Sequence, residues 1–214
     1  SRQEVTVTAT LGEVQDIFEA ERPISVVDSD EMERRSVNIL PQLLREEPGV
    51  HVQQTTTHQG AIFLRGLTGQ QTVTLIDGVR FNQSTFRGGP NQYEALIDLV
   101  GVDRIEIVRG PNSAQYGSDS LGGTVNVLSR PTRFSAGGLH FNAKLRTLFG
   151  SSNLSGSGQA EVEVASRNFG LMLGTRGQRA NDVRAGGGLD SHAVVTRYLG
   201  LSPSVLGNRL QDTS

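Results

Sequence analysis

The side chains best suited to catalysis or metal binding are too scattered in this sequence to form a site. The chain has four histidines: His51, His58, His140 and His192. None has the spacing by which a helix or a loop presents two ligands to one metal. Residues 118–120, Ser-Asp-Ser, have no histidine near them and indicate a turn. We therefore expect no catalytic residue, no metal site and no cofactor, and we predict that the protein is not an enzyme.

A second set of residues has the chemistry to bind a ligand without transforming it. Residues 82–93, NQSTFRGGPNQY, are polar and long enough to be either a functional loop or a disordered one. They supply a cation, amide donors and acceptors, and an aromatic face. The candidate ligand-binding residues are Arg87, Asn91, Gln92 and Tyr93. The alternative is a solvated loop without a ligand.

The elements that must position these residues centre on the stretch 104–130. A β-branched run at 105–108 predicts a buried strand, and the following Gly-Pro forces a turn. Residues 112–116 are predicted as one helical turn that ends at a glycine, and 124–128 as a second strand. The sequence therefore predicts a compact β-rich corner.

The preceding part of the chain alternates strands with short helices. Strands are predicted at 24–27, 50–53, 61–64 and 73–76, and helices after 28–30 and at 38–46. We interpret the acids Asp28, Asp30 and Glu33 as helix-capping residues, because they lack the glycine and the distal glutamate of a calcium loop. Residues 54–60 are predicted as a loop, and Asp77-Gly78 as a tight turn.

After Pro131 the pattern changes to a period of two. Alternating segments at 139–149, 159–164 and 169–173 are separated by a long Ser/Gly loop at 150–158 and a tight turn at 166–168. Outer-membrane barrels have this asymmetry of loops and turns, although a soluble sandwich alternates in a similar way.

Composition excludes several classes of protein. The net charge of −2 gives no basic field for nucleic acid, and the absence of cysteine excludes disulfides and thiolate metal sites. No apolar run approaches the ~20 residues of a transmembrane helix. The sequence starts at Ser1 without a signal peptide, so we expect an exported protein to be in its mature form.

Four segments in order carry a resemblance to a known family. They are Pro48-Gly49-Val50, Ile62-Phe63-Leu64-Arg65-Gly66, Leu75-Ile76-Asp77-Gly78-Val79 and RIEIVRGPNSAQYGSDSLGGTVNVLSR from Arg104. Together they resemble the plug domain of TonB-dependent outer-membrane receptors, which carry siderophores, haem, cobalamin or sugars into Gram-negative bacteria.

This resemblance implies an α+β plug domain, a small mixed sheet with short helices, followed by antiparallel strands of a barrel of about 22 strands. It implies a TonB box and N-terminal extension at 1–10, the plug at 11–133 and the first part of the barrel at 134–214. The protein is then a monomer in the cell outer membrane, in contact with lipid, with the plug inside the barrel lumen and its N-terminus in the periplasm.

The resemblance also assigns roles to individual residues. The TonB box would be Glu4, Val5, Thr6, Val7, Thr8 and Ala9, which would pair as a strand with TonB of the inner-membrane energising complex. On the residues alone, the same segment is an edge strand or a frayed end. The loop of residues 84–93 would lie at the outward apex of the plug. Arg65 and Arg109 would lie close together, with few carboxylates near them, and would meet acids on the barrel wall beyond residue 214.

Three functional hypotheses follow. The first is the gate of an importer for a scarce ligand such as a ferric siderophore, haem or cobalamin. The second is a non-energised outer-membrane binding or adhesion module, and the third is a soluble periplasmic β-sandwich. Residues 4–9 separate the first two, because an importer needs them free and extended whereas a binding module could fold them into its core.

Overall fold

The computed structural model describes residues 6–7, 15–16 and 23–179, apart from 38, 57–58, 83–87, 91, 133, 136 and 152–153. The chain divides into two compact units, one of residues 1–145 with 160–175 and the other of residues 146–159 with 176–214.

The described strands and helices follow one another as mixed α and β structure. The strands are β1 (Thr6–Val7), β2 (Gln15–Asp16), β3 (Ile24–Asp28), β4 (Val50–Thr56), β5 (Gln59–Leu64), β6 (Thr72–Ile76), β7 (Val79–Arg80), β8 (Val102–Arg109), β9 (Gly123–Ser129), β10 (His140–Gly150), β11 (Ser155–Ala165) and β12 (Gly170–Arg179). The α-helices are α1 (Ser29–Arg35), α2 (Leu40–Leu43) and α3 (Ser113–Tyr116), and 3₁₀ helices span Leu44–Glu46, Gly69–Gln71 and Gln92–Leu96.

The central element is a five-stranded mixed sheet in the order β3-β8-β9-β6-β7. Strand β8 pairs antiparallel with both β3 and β9, whereas β6 runs parallel to β9. Ile105, Ile107 and Val108 of β8 are fully buried, as the β-branched run predicted. This arrangement confirms the predicted α+β fold with a small mixed sheet and short helices.

Strands β4 and β5 form a separate antiparallel hairpin. The prediction of a loop over 54–60 was wrong, because β4 continues to Thr56 and β5 begins at Gln59. The polar Thr and Gln residues gave no period-two signal. Pairing across the hairpin satisfies their backbone groups, and no apolar pattern is needed for that.

The hydrophobic core lies between this sheet, the β4–β5 hairpin and the short helices. Its fully buried members include Leu40, Leu43, Leu44, Ile62 and Leu64. The helix predicted over 38–46 is divided into α2 and the 3₁₀ helix Leu44–Glu46. Among the described residues, no helix combines the length and the hydropathy needed to cross a membrane.

The predicted cap of helix α1 and the two predicted turns are confirmed. The Asp28 carboxylate accepts a hydrogen bond from the Glu31 backbone N–H at 2.7 Å and so caps α1. Asp77 and Gly78 both have positive φ, 50° and 79°, as a type I′ turn requires, and they join β6 to β7. The predicted turn at 118–120 is closed by a hydrogen bond from the Ser120 N–H to the Gly117 carbonyl.

Strands β10, β11 and β12 form a sheet in that order. Residues 151–154 join β10 to β11, and residues 166–169 join β11 to β12. Both connections are too short for a parallel crossover, so the strands run antiparallel. The predicted long loop at 150–158 was wrong, because β10 includes Gly150 and β11 starts at Ser155. Serine and glycine are poor strand formers alone, and here the neighbouring strands supply their hydrogen-bond partners. Phe141, Leu145 and Phe149 of β10 are exposed in this chain, at the spacing of one strand face.

Candidate functional site

The polar loop is bounded by two buried polar side chains. Asn82 precedes it and is 5% exposed, and Glu94 follows it and is 3% exposed. Between them the structure describes Gly88, Gly89 and Pro90, which are exposed, and also Gln92 and Tyr93. The two residues that border this segment are therefore anchored in the interior of the domain.

The side chain of Asn82 hydrogen-bonds to the backbone of β6, as a neighbouring strand would. Its side-chain Oδ1 accepts from the Thr74 N–H at 3.0 Å, and its Nδ2 donates to the Thr72 carbonyl at 2.7 Å. These bonds satisfy backbone groups of β6 in a buried position.

Glu94 connects β6 to β5. One carboxylate oxygen accepts from the Thr74 hydroxyl at 2.9 Å, and the other accepts from the Ile62 N–H at 3.1 Å. Burial raises the pKa of Glu94 to about 7, although both hydrogen bonds act in the opposite direction. Strand β5, strand β6 and helix α2 contain no ionisable residue, so no charge from these elements offsets the burial.

Glu94 was not among the site residues predicted from the sequence. The signal was a single acid in the otherwise apolar run YEALI, directly after the loop. An acid at this position is either exposed to water or bound by buried hydrogen-bond donors. Which of the two applies depends on the residues that pack against it in the fold.

Gly89 in the middle of the loop rests on a second glycine. Gly69 has a φ of +66°, and a methyl group at its Cα would overlap the carbonyl oxygen of Gly89. The backbone of the loop can therefore approach the 3₁₀ helix Gly69–Gln71 this closely only because residue 69 has no side chain.

The four predicted ligand-binding residues are only partly described. Arg87 and Asn91 lie outside the described residues. Gln92 and Tyr93 begin the 3₁₀ helix Gln92–Leu96, so the predicted loop ends earlier than residue 93. Tyr93 is 48% exposed and directly precedes the buried Glu94. Their role in binding a ligand stays a prediction.

The two predicted contact arginines meet at one turn. The backbone N–H of Arg65 donates to the Gly49 carbonyl at 3.1 Å. The guanidinium of Arg109 donates to the Pro48 carbonyl at 2.5 Å and to the Ser25 hydroxyl at 2.7 Å. The Arg65 guanidinium also lies beside Gly110, because a methyl group there would be 2.9 Å from its Nη1. Arg65 follows β5 of the separate hairpin, whereas Arg109 ends β8 of the five-stranded sheet.

Neither arginine forms an ion pair with a carboxylate in the described part of the chain. Glu106, the acid nearest to Arg109 in sequence, is fully buried and pairs with Arg104 at 3.0 Å. Residues 104 and 106 share one strand face, whereas 109 does not share it. The contact of the two arginines with a barrel wall stays a prediction.

The N-terminal segment is described only at Thr6 and Val7. These two residues pair antiparallel with Asp16 and Gln15 in a two-stranded sheet of their own. Glu4, Val5, Thr8 and Ala9 lie outside the described residues. Their predicted pairing with TonB is therefore not tested.

Metal ligands are not gathered anywhere in the described part of the chain, where no three His, Asp or Glu side chains are grouped as a metal would require. The chemically distinctive features of the domain are the buried hydrogen-bonding groups that border the loop and the Arg109 cation at the Pro48–Gly49 turn.

Comparison with known proteins gives a consistent result. Residues 16–124 match the model of the TonB-dependent Receptor Plug Domain. The chain is 32% identical over 135 residues to the vitamin B12 transporter BtuB of Vibrio vulnificus strain CMCP6, covering 62% of this chain and 22% of that protein. The BtuB of strain YJ016 is 39% identical over 110 residues, covering 50% and 18%. The chain thus spans about a fifth of the length of these relatives.

Solved structures share the fold. The alcaligin outer-membrane receptor FauA of Bordetella pertussis has a TM-score of 0.67 at 19% identity, over 82% of this chain and 29% of that chain. The pyoverdine outer-membrane receptor FpvA of Pseudomonas aeruginosa PAO1 has a TM-score of 0.66 at 20% identity, over 85% and 25%.

The buried carboxyl group of Glu94 predicts how stability changes with pH. Its pKa is raised from 4.5 to about 7 in the folded state, so its contribution is fully present below pH 4.5 and is lost as the pH rises through 7. The loss amounts to about 3 kcal/mol at 1.36 kcal/mol per pKa unit. Glu94→Gln keeps the shape and cannot ionise, so it should be more stable than the parent at pH 8.5 and similar to it at pH 5.

Denaturant unfolding of the purified protein between pH 5 and 8.5 measures this difference. Glu46→Gln is the matched control, because the Glu46 side chain is 71% exposed and should leave the pH dependence unchanged. An identical pH slope for the parent and Glu94→Gln would show that Glu94 ionises freely in the folded protein.

Proposed function

Because this chain belongs to the TonB-dependent receptor plug domain family, we propose that it is the gate region of an active importer in the bacterial outer membrane. The family match over residues 16–124 is the observation that carries this proposal. We assign residues 1–10 to the TonB box and N-terminal extension, 11–133 to the plug, and 134–214 to the first part of the barrel. The plug would lie in the barrel lumen with its N-terminus in the periplasm.

The ligand we propose is a scarce small molecule or metal chelate, such as a ferric siderophore, haem or cobalamin. Relatives at 32% and 39% identity are named as vitamin B12 transporters, and similar solved structures are named as receptors for alcaligin and pyoverdine. All of these names refer to small-molecule ligands. The half-exposed Tyr93 and its neighbours in the polar loop have the polar and aromatic groups to contact such a ligand.

The energy for import would come from TonB. An extended segment at residues 4–9 can add to a partner sheet through its backbone, which requires little side-chain specificity. Thr6 and Val7 pair outside the five-stranded sheet, so a partner could take them without opening the hydrophobic core.

The plug would be held in the lumen through Arg65 and Arg109. The Arg109 guanidinium lies at the Pro48–Gly49 turn and the Arg65 guanidinium lies beside Gly110, and neither forms an ion pair in the described part of the chain. Acids on the surrounding barrel wall would complete these ion pairs.

Uptake by a receptor-deletion strain tests the proposed function. The strain, complemented with the full-length receptor, is grown on cobalamin, haem or ferric siderophores as the limiting nutrient. We expect growth on one of these sources only when TonB is present. Growth that does not depend on TonB would contradict energised import.

Val7→Pro should abolish uptake and spare ligand binding. Proline removes the backbone N–H that strand pairing with TonB requires. Val7→Ala keeps that donor and is the matched control, so it should retain uptake. Normal uptake by the Val7→Pro receptor would exclude this segment as the coupling strand.

Replacing the four loop residues with alanine tests the ligand contacts. A receptor with Arg87, Asn91, Gln92 and Tyr93 changed to Ala should bind its transported ligand on the order of 100-fold more weakly, since it loses charged, amide and aromatic contacts. Equilibrium binding to the purified receptor measures the change. Arg34→Ala, at a side chain of helix α1 that is 68% exposed, should bind normally. Unaltered affinity of the fourfold variant would remove these residues from the site.

Arg65→Ala and Arg109→Ala should each weaken the hold of the plug. Loss of one cation would leave buried acids unpaired, at a cost of about 3–5 kcal/mol for a buried pair. Protease sensitivity of the plug in the assembled receptor and the rate of uptake report this effect. Arg34→Ala again serves as the control. Unchanged plug retention and uptake in the double variant would contradict the proposed contact.

A further inference from the structure

We propose that Asn82, Thr74 and Glu94 form a buried clasp that links the two residues bordering the polar loop, and that Glu94 is a positioning residue for Tyr93, the predicted ligand contact directly before it. The role in ligand binding rests on the proposed function. The clasp itself rests only on the contacts of these three residues, which are below 6% exposed.

The two ends of the loop meet at a single residue of β6. The Thr74 N–H donates to Asn82 at the start of the loop, and the Thr74 hydroxyl donates to Glu94 at its end. Residues 82 and 94 are therefore fixed relative to each other, although the whole loop separates them in sequence. A loop whose ends are fixed has lost much of its freedom before a ligand arrives.

Hydrogen bonds at positions 82 and 94 fix the orientation of these two residues as well as the distance between them. Leucine at position 94 would fill a similar space without the cost of burying a carboxyl group. A side chain that ends in two polar atoms can bind the Ile62 N–H and the Thr74 hydroxyl together and so orient the 3₁₀ helix Gln92–Leu96. Tyr93, one residue earlier, is carried into position by that helix.

The middle of the loop has a third point of support. Gly89 lies against Gly69, where a side chain would overlap its carbonyl oxygen. This contact uses no polar side chain, so it can be changed independently of the clasp. Residues 82, 89 and 94 thus each have a defined neighbour in the fold.

A preorganised loop binds its ligand more tightly, because less conformational entropy is lost on binding. Opening the clasp should therefore increase loop motion and lower affinity together. Since a lost buried hydrogen bond typically changes an equilibrium on the order of tenfold, we expect an affinity loss of that size.

Spin labelling of the full-length receptor tests loop motion without any ligand. The present chain contains no cysteine, and Gly88 has open space around its Cα, so Gly88→Cys provides one label site on the loop. Cysteines elsewhere in the receptor are first changed to serine. Gly137→Cys, also in open space, gives a reference label outside the loop.

Matched substitutions separate the clasp from general damage. Thr74→Val removes the hydroxyl, and Glu94→Leu removes both acceptors. Thr74→Ser and Glu94→Gln keep the hydrogen-bonding groups. We expect the first pair to increase label mobility at position 88 and the second pair to leave it unchanged, with the label at 137 constant throughout.

Glycine substitutions provide a second, independent comparison. Gly69→Ala should displace the loop and change the spectrum of the label at 88. Gly78→Ala is the control, since Gly78 has a similar positive φ of +79° and nothing near its Cα, so it carries the same backbone strain without the contact. Equal effects of the two would contradict support of the loop at Gly89.

Binding of cyanocobalamin, ferric pyoverdine and haemin to the same variants tests the positioning role. A mobile label with about tenfold weaker binding in Thr74→Val and Glu94→Leu supports the proposal. An unchanged label in both variants overturns the clasp, and so does mobility that rises equally at 137. A mobile label with unchanged affinity overturns the positioning role. If the parent binds none of the three probes, the proposed ligand class fails, and the label still decides the clasp.

Discussion

The whole domain depends on a close approach of backbone at Gly123, where β9 begins. A side chain at this residue would overlap the Val108 carbonyl oxygen and come within 3.0 Å of a Leu64 methyl group. Without one, β9 fits between β8, to which it is antiparallel, and β6, to which it is parallel. That insertion makes the sheet mixed. It also places β6, the strand that holds the polar loop, in the same sheet as β8, which ends in Arg109.

Arg65 and Arg109 carry positive charges that form no ion pair in the described part of the plug. Arg109 is bound by the uncharged oxygens of Pro48 and Ser25, which position its guanidinium without neutralising it. Arg65 reaches the same region from a different sheet and has a φ of 53°, a backbone conformation that few residues other than glycine adopt. The strained backbone of Arg65 and the unpaired positive charges both cost free energy. Ion pairs with acids of a surrounding structure would offset that cost.

Local signals in the sequence predicted the parts of the fold that are decided locally. The β-branched run at 105–108, the cap at Asp28 and the turn at Asp77-Gly78 all have a physical cause within a few residues. The missed features depend on distant partners. Strand residues 54–56 need the facing hairpin strand, and Glu94 is buried only because Ile62 and Thr74 supply donors from far along the chain. A period-two or helical pattern contains no information about such partners.

Strand β5 connects the two regions that the proposed function requires. Its Ile62 N–H bonds to Glu94 under the polar loop, and three residues later the Arg65 N–H bonds to Gly49 at the arginine turn. Three residues of extended chain span about 10 Å. Contact alone does not make a signal, since coupling needs an element with two arrangements that both sites favour differently. Opening the proposed clasp would supply a second arrangement of Glu94, with its carboxylate in water instead of bonded to the Ile62 N–H, and strand β5 would then lose one of its fixed contacts.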